Sequence, residues 1–143
     1  MSEATNQAVV EQVYAAFRRK DLPAILALQA EDAEWSVAAS RELIPWASPG
    51  PGPAGVAEFL RVLAQWLVAD VFEIRVLLVR DETVVALGFQ RGTVRPTGTP
   101  YAFDFVHVWT LAAARVRSFR VYYDTAYVGA VLRADGADRS AAT

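Results

Sequence analysis

The run Tyr101-Ala102-Phe103-Asp104-Phe105-Val106-His107-Val108-Trp109-Thr110-Leu111 constrains the fold more than any other part of the chain. Side chains of a β-strand alternate between faces, so Tyr101, Phe103, Phe105, His107 and Trp109 share one side. Ala102, Asp104, Val106, Val108 and Thr110 take the other. Large aromatic rings repeated along one face must be covered, and helices of the same chain are the natural cover. His107, the one histidine of the sequence, sits among those rings.

The N-terminal half supplies the helices. Over residues 6–19, Val9, Val10, Val13, Ala16 and Phe17 recur at helical spacing, with Thr5 or Asn6 as the cap. Arg18-Arg19-Lys20 fall in the last turn, where cations suit the helix dipole. Asp21 is expected to cap a second helix, with Pro23 in its first turn and Ile25, Leu26 and Leu28 buried. A short strand around Glu34–Ala38 turns Trp35 and Val37 to one side. Residues 45–53 are too rich in proline for a helix or an inner strand and read as a stiff loop. A third helix over about 54–69 carries Val56, Phe59, Leu60, Leu63, Trp66 and Leu67. Four strand-like runs follow, 71–80, 83–94, 101–111 and 115–123. Helices first and hairpins afterwards predict an α+β domain, a mainly antiparallel sheet with helices on one side.

Composition narrows the function. With 54% hydrophobic and 21% charged residues over 143 positions, the chain suits one globular domain, set at 1–132. Residues 133–143 are small and polar and are expected to be a disordered tail. Net charge is −2, and Arg115, Arg117 and Arg120 on one expected strand read as a solvated strand end, which argues against nucleic acid. Charges interrupt the apolar runs well short of a membrane span, and no signal-peptide pattern opens the chain, so a cytoplasmic location is expected. No cysteine and a single histidine leave no ordinary zinc or iron ligand set. No metal and no organic cofactor are expected.

Several segments together resemble the nuclear-transport-factor-2-like superfamily, in particular its ketosteroid isomerase, limonene epoxide hydrolase and SnoaL-like polyketide cyclase branches. They are Val9-Val10 through Tyr14-Ala15-Ala16-Phe17, Asp21-Leu22 to Ala27-Leu28, and Glu31-Asp32-Ala33. Gly52-Pro53-Ala54-Gly55 through Leu60, Pro96-Thr97-Gly98, His107-Val108-Trp109-Thr110 and Tyr122-Tyr123-Asp124 complete the set. The resemblance implies a cystatin-like cone: a strongly curved sheet whose concave face is closed by three helices around an apolar pocket. It turns Phe103, Phe105, His107, Phe119, Val121 and Tyr123 inward, with Gly88 and Gln90 from the preceding strand.

The catalytic groups of that superfamily do not carry over. Its isomerases place a carboxylate base at what is Val37 here, a tyrosine at Val13 and a second oxyanion donor at His107. Its hydrolases and cyclases place an aspartate at Val121, and the hydrolases need an arginine and an aspartate at Gly88 and Gln90. Tyr14 is one residue from the tyrosine position, rotated about 100° around the helix, and is not expected to substitute. His107 is the candidate acid or base, with Gln90 or Tyr123 polarising an oxygen. A histidine satisfied by its neighbours and serving only the core is the competing reading. Trp35, Phe103, Phe105 and Phe119 are candidate substrate contacts, the tryptophan equally a core residue. Asp124 is an acid only if the last strand slips by one residue; in register it faces away and serves structure. Ala112-Ala113-Ala114 raises that question, because alanine resists the positive φ of tight hairpin turns.

The expected function is acid–base isomerisation, cyclisation or dehydration of a small hydrophobic metabolite, with a non-catalytic ligand-binding or dimerisation module as the alternative. Leu87, Phe89, Val106, Val108 and Tyr122 make the outer sheet face apolar, so a homodimer through that face is expected.

Overall fold

A computed structural model describes residues 2–134. Helix α1 (Glu3–Arg18) starts earlier than the apolar pattern suggests, because Ser2 rather than Thr5 or Asn6 caps it, accepting the Thr5 amide at 3.0 Å. Asn6 is instead buried, its side-chain amide donating to the Asp81 carbonyl at 3.0 Å. Glu3 accepts the Asp81 amide at 2.7 Å, so the start of the helix is tied to a distant hairpin turn. Asp21 caps α2 (Leu22–Ala27) as expected, accepting from Ala24 at 3.1 Å.

Strand β1 (Gln29–Val37) begins five residues before the expected short strand, and α3 (Gly52–Trp66) ends before residue 69. The chain passes from α3 into β2 (Leu67–Arg80) without a loop. The remaining elements are β3 (Thr83–Val94), β4 (Pro100–Ala112), β5 (Arg115–Tyr122) and α4 (Thr125–Arg133). The strands form one sheet in the order β1-β5-β4-β3-β2, antiparallel throughout except for the parallel β1–β5 pair. Register shifts at Ala69/Val71 and Ile74/Val76 in β2, and opposite Thr110/Leu111, where β5 carries the extra residue Arg117, are bulges that bend the sheet. The fold is α+β, four helices against a curved open sheet, with the aromatic face of β4 on the buried side.

The alanine turn resolves the register of β5. Ala112 pairs with Arg115, leaving a two-residue loop in which Ala113 and Ala114 both take positive φ, 50° and 62°. The sequence therefore adopts the tight turn that its residue types disfavour, and the strand does not slip. Val121 stands opposite His107 and faces inward, while Tyr122 faces out.

Helix α4 was not foreseen. Asp124 caps it, accepting from the Tyr127 amide at 3.0 Å. Its other end is fastened by Arg133, which donates to the Gly129 and Glu42 carbonyls, each at 2.8 Å. Arg133 thus belongs to a helix rather than to the expected tail, whose residues 135–143 lie outside the described residues. No helix among the described residues is long and apolar enough to cross a membrane.

Candidate functional site

His107 lies on the inner face of β4 and is only 5% exposed. Its ring stacks on Phe105 at a centroid distance of 4.1 Å and meets Phe119 edge-on at 4.7 Å. Gly88 stands opposite Phe105 in the sheet, and a Cβ there would strike the Phe105 ring and the Glu73 carbonyl. The missing side chain makes room for the ring that supports His107. Burial drives the imidazole pKa down to about 3, so the ring is neutral across the physiological range.

The imidazole Nδ1 lies 2.7 Å from the Tyr14 hydroxyl, and the Trp109 indole donates to that same hydroxyl at 2.9 Å. The orientation expected for Tyr14 is corrected here. The buried face of α1 is wide enough to hold Val13 and Tyr14 side by side, and the longer side chain reaches across to β4. Sequence spacing alone could have found it, since Val10, Tyr14 and Phe17 also lie one above another on a helix. Among the described residues Nε2 of His107 has no hydrogen-bond partner, while the residue as a whole is buried.

The other expected site residues fall into two groups. Trp35 is buried, and its indole donates to Gln29 at 2.9 Å, so its polar edge is used within the core. Phe119 packs on Trp35 and Trp109 at 4.5 and 4.3 Å. Phe103 lies further along the same strand, between Tyr101 at 5.4 Å and Tyr123 at 4.8 Å. Gln90 is half-exposed and accepts from the Tyr101 hydroxyl at 3.0 Å. The Tyr123 hydroxyl is buried without a hydrogen bond, although the Trp46 indole is its polar neighbour. Burial raises the pKa of Tyr14, Tyr101 and Tyr123, so all three are neutral phenols. Asp124 is exposed and acts as a helix cap, away from the ring layer.

Phe72 of β2 belongs to the site and was missed. It stacks on Phe105 at 5.3 Å and touches Phe17 of α1 at 5.2 Å, half-exposed at the rim. Bulges on either side of it break the alternation that would have placed it. The inner layer is otherwise ring against ring. Two depressions lie outside it: one of about 370 Å³ beside Asp70, Arg91, Tyr101 and Tyr127, and one of about 540 Å³ beside Glu34, Glu82, Thr110 and Arg117. Neither is lined by His107. Among the described residues no three His, Asp or Glu side chains converge as a metal site would need.

A curved sheet closed by helices over an aromatic layer is the architecture of the nuclear-transport-factor-2-like proteins. A sequence model of the SnoaL-like domain matches residues 10–119, and the chain belongs to that family. A nuclear-transport-factor-2-like protein of unknown function from Burkholderia pseudomallei superposes with a TM-score of 0.83 at 28% identity, over 94% of this chain and 100% of its own. A counterpart from Burkholderia xenovorans gives 0.83 at 28%, over 93% and 99%. TerC, co-crystallised with polyporic acid, gives 0.80 at 25%, over 91% and 99%. No match was found among curated proteins.

Proposed function

We propose that this chain takes up a small hydrophobic, oxygen-bearing molecule within the cone and acts on it without metal or organic cofactor, by isomerisation, cyclisation or dehydration. His107 carries the reading: a neutral imidazole set in a layer of rings, with one nitrogen left without a partner among the described residues. Apolar ligand sites are oriented by a few such polar groups. Phe103, Phe105 and Phe119 supply rings of that layer, and the half-exposed Gln90 offers a further polar contact; the Tyr123 hydroxyl, buried and unpaired, could serve only if its surroundings shift. The co-crystallisation of TerC with polyporic acid supports a small organic molecule as the ligand. Phe17, Phe72 and Gln90, half-exposed beside the ring layer, are the proposed way in. With its pKa near 3, His107 is a poor proton acceptor at neutral pH, so the chemistry supported is polarisation of a substrate oxygen.

A binding role without turnover is favoured by one observation. The buried polar residues among those described are Asn6, Gln29, Thr99 and His107, and none is a carboxylate. Turnover and thermal shift on a panel of polyketide- and terpenoid-like ketones separate the readings, with His107→Ala beside the parent. Turnover that His107→Ala loses supports the enzyme. A thermal shift without turnover supports the binder. Equal rates in both proteins remove His107 as the catalyst, and no shift with any apolar ligand overturns both readings.

The same reading includes a homodimer packed through the outer sheet face. Val76, Leu78, Leu87 and Tyr122 there are 41%, 57%, 37% and 43% exposed, an apolar surface that favours a partner. A second copy presents the same face, on which Arg75 and Asp104 pair with each other at 3.8 Å within one chain.

A further inference from the structure

We propose that Tyr14 is a positioning residue that locks His107 in one tautomer, so that the imidazole presents an N–H donor and the site selects ligands bearing a hydrogen-bond-accepting oxygen. The inference rests on His107 being the ligand's polar contact, and it gives that contact a direction.

The Tyr14 hydroxyl has two partners, Trp109 Nε1 at 2.9 Å and His107 Nδ1 at 2.7 Å. An indole nitrogen only donates, so it takes up the tyrosine oxygen as an acceptor. The tyrosine's own hydrogen then needs an acceptor, and Nδ1 is the atom at bonding distance. If Nδ1 carried the imidazole proton, two donors would face one oxygen and the Tyr14 O–H would point at nothing. An unsatisfied buried donor biases the two tautomers by roughly ten- to a hundred-fold. Nδ1 is therefore the acceptor and Nε2 holds the hydrogen. Nε2 is the nitrogen that has no partner among the described residues, and so the one left for a ligand. The stack of Phe105 on one side and the edge of Phe119 keep the ring from turning over.

A donor fixed in an apolar layer discriminates by polarity. A ketone oxygen satisfies it; an alkyl group of the same shape leaves it unpaired. Tyr14 contacts no ligand in this scheme. It acts by setting which nitrogen of His107 is protonated.

The test uses the sequence's single histidine. Long-range proton–nitrogen correlation spectra of uniformly labelled protein assign each ring nitrogen as pyrrole-like or pyridine-like. A pyridine-like Nδ1 and a pyrrole-like Nε2 in the parent support the proposal, and the reverse overturns it. The parent spectrum needs no variant, so the assignment is decided even if Tyr14→Phe does not fold. Where it folds, Tyr14→Phe is expected to bring in the second tautomer, a change that loss of packing alone would not produce; an unchanged tautomer overturns the role of Tyr14. Binding of 2-acetylnaphthalene against 2-ethylnaphthalene gives the functional arm, with a preference for the ketone of roughly three- to ten-fold in the parent. Equal binding beside the expected tautomer overturns His107 as the ligand contact, the reading beneath this one, and leaves the tautomer assignment standing.

Discussion

Acidification from about pH 8 to about pH 5 should destabilise the protein through His107 in a way that His107→Gln abolishes. The native imidazole has a pKa pushed down to about 3 by burial, while an unfolded histidine titrates near the ordinary value of 6.5. Between those values the unfolded chain binds a proton that the native state refuses. Stability therefore rises with pH through that window and is lost as pH falls from about 6.5 toward 3. Each pH unit inside it is worth about 1.4 kcal/mol, so the loss reaches about 2 kcal/mol at pH 5 and about 3 kcal/mol at pH 4. Against a typical stability of roughly 5–15 kcal/mol that is a large fraction. Glutamine does not titrate, and its amide can still accept the Tyr14 hydroxyl. Urea unfolding of both proteins at the two pH values isolates the histidine as the difference between them. A parent that loses no more stability than His107→Gln would refute the claim that the imidazole is buried and neutral.

Three further outcomes follow from the structure. Replacing Ala113-Ala114 by Asn-Gly should stabilise the β4–β5 hairpin by about 1 kcal/mol, because both positions hold positive φ; thermal unfolding checks it, and a lower midpoint would show that the turn is not strained. Asp124→Ala should cost about 1 kcal/mol in urea unfolding through loss of the α4 cap, while leaving ligand affinity unchanged; a loss of affinity would place Asp124 in the site after all. Leu78→Lys together with Leu87→Lys should turn a dimer into a monomer in sedimentation at micromolar concentration, and a parent already monomeric would remove the outer face as a self-association surface.

The inner wall was legible from alternation because β4 runs without a bulge from Tyr101 through Trp109, so Phe103, Phe105 and His107 appear at strict intervals of two. Phe72 was illegible for the opposite reason: bulges at Asp70 and Arg75 shift its strand twice. Asp21 announced itself as a cap since an acidic residue precedes proline and an apolar run, whereas Ser2 was passed over because the apolar pattern of α1 starts later. The alanine turn misled in one respect. Residue preference spoke against a two-residue loop, and strand pairing on both sides imposed it regardless. Comparison of Tyr14 with one neighbouring position misleads, because the width of the buried stripe on α1 decides where its side chain goes. No local signal marks which nitrogen of an imidazole will be paired; that depends on side chains 93 residues apart in the chain.

A crystal structure of the protein grown with 2-acetylnaphthalene tests the central claim most directly. The account predicts the ligand among Phe72, Phe105 and Phe119, its oxygen within about 3 Å of His107 Nε2. A ligand held in either outer depression, or one whose oxygen turns away from the imidazole, would contradict it.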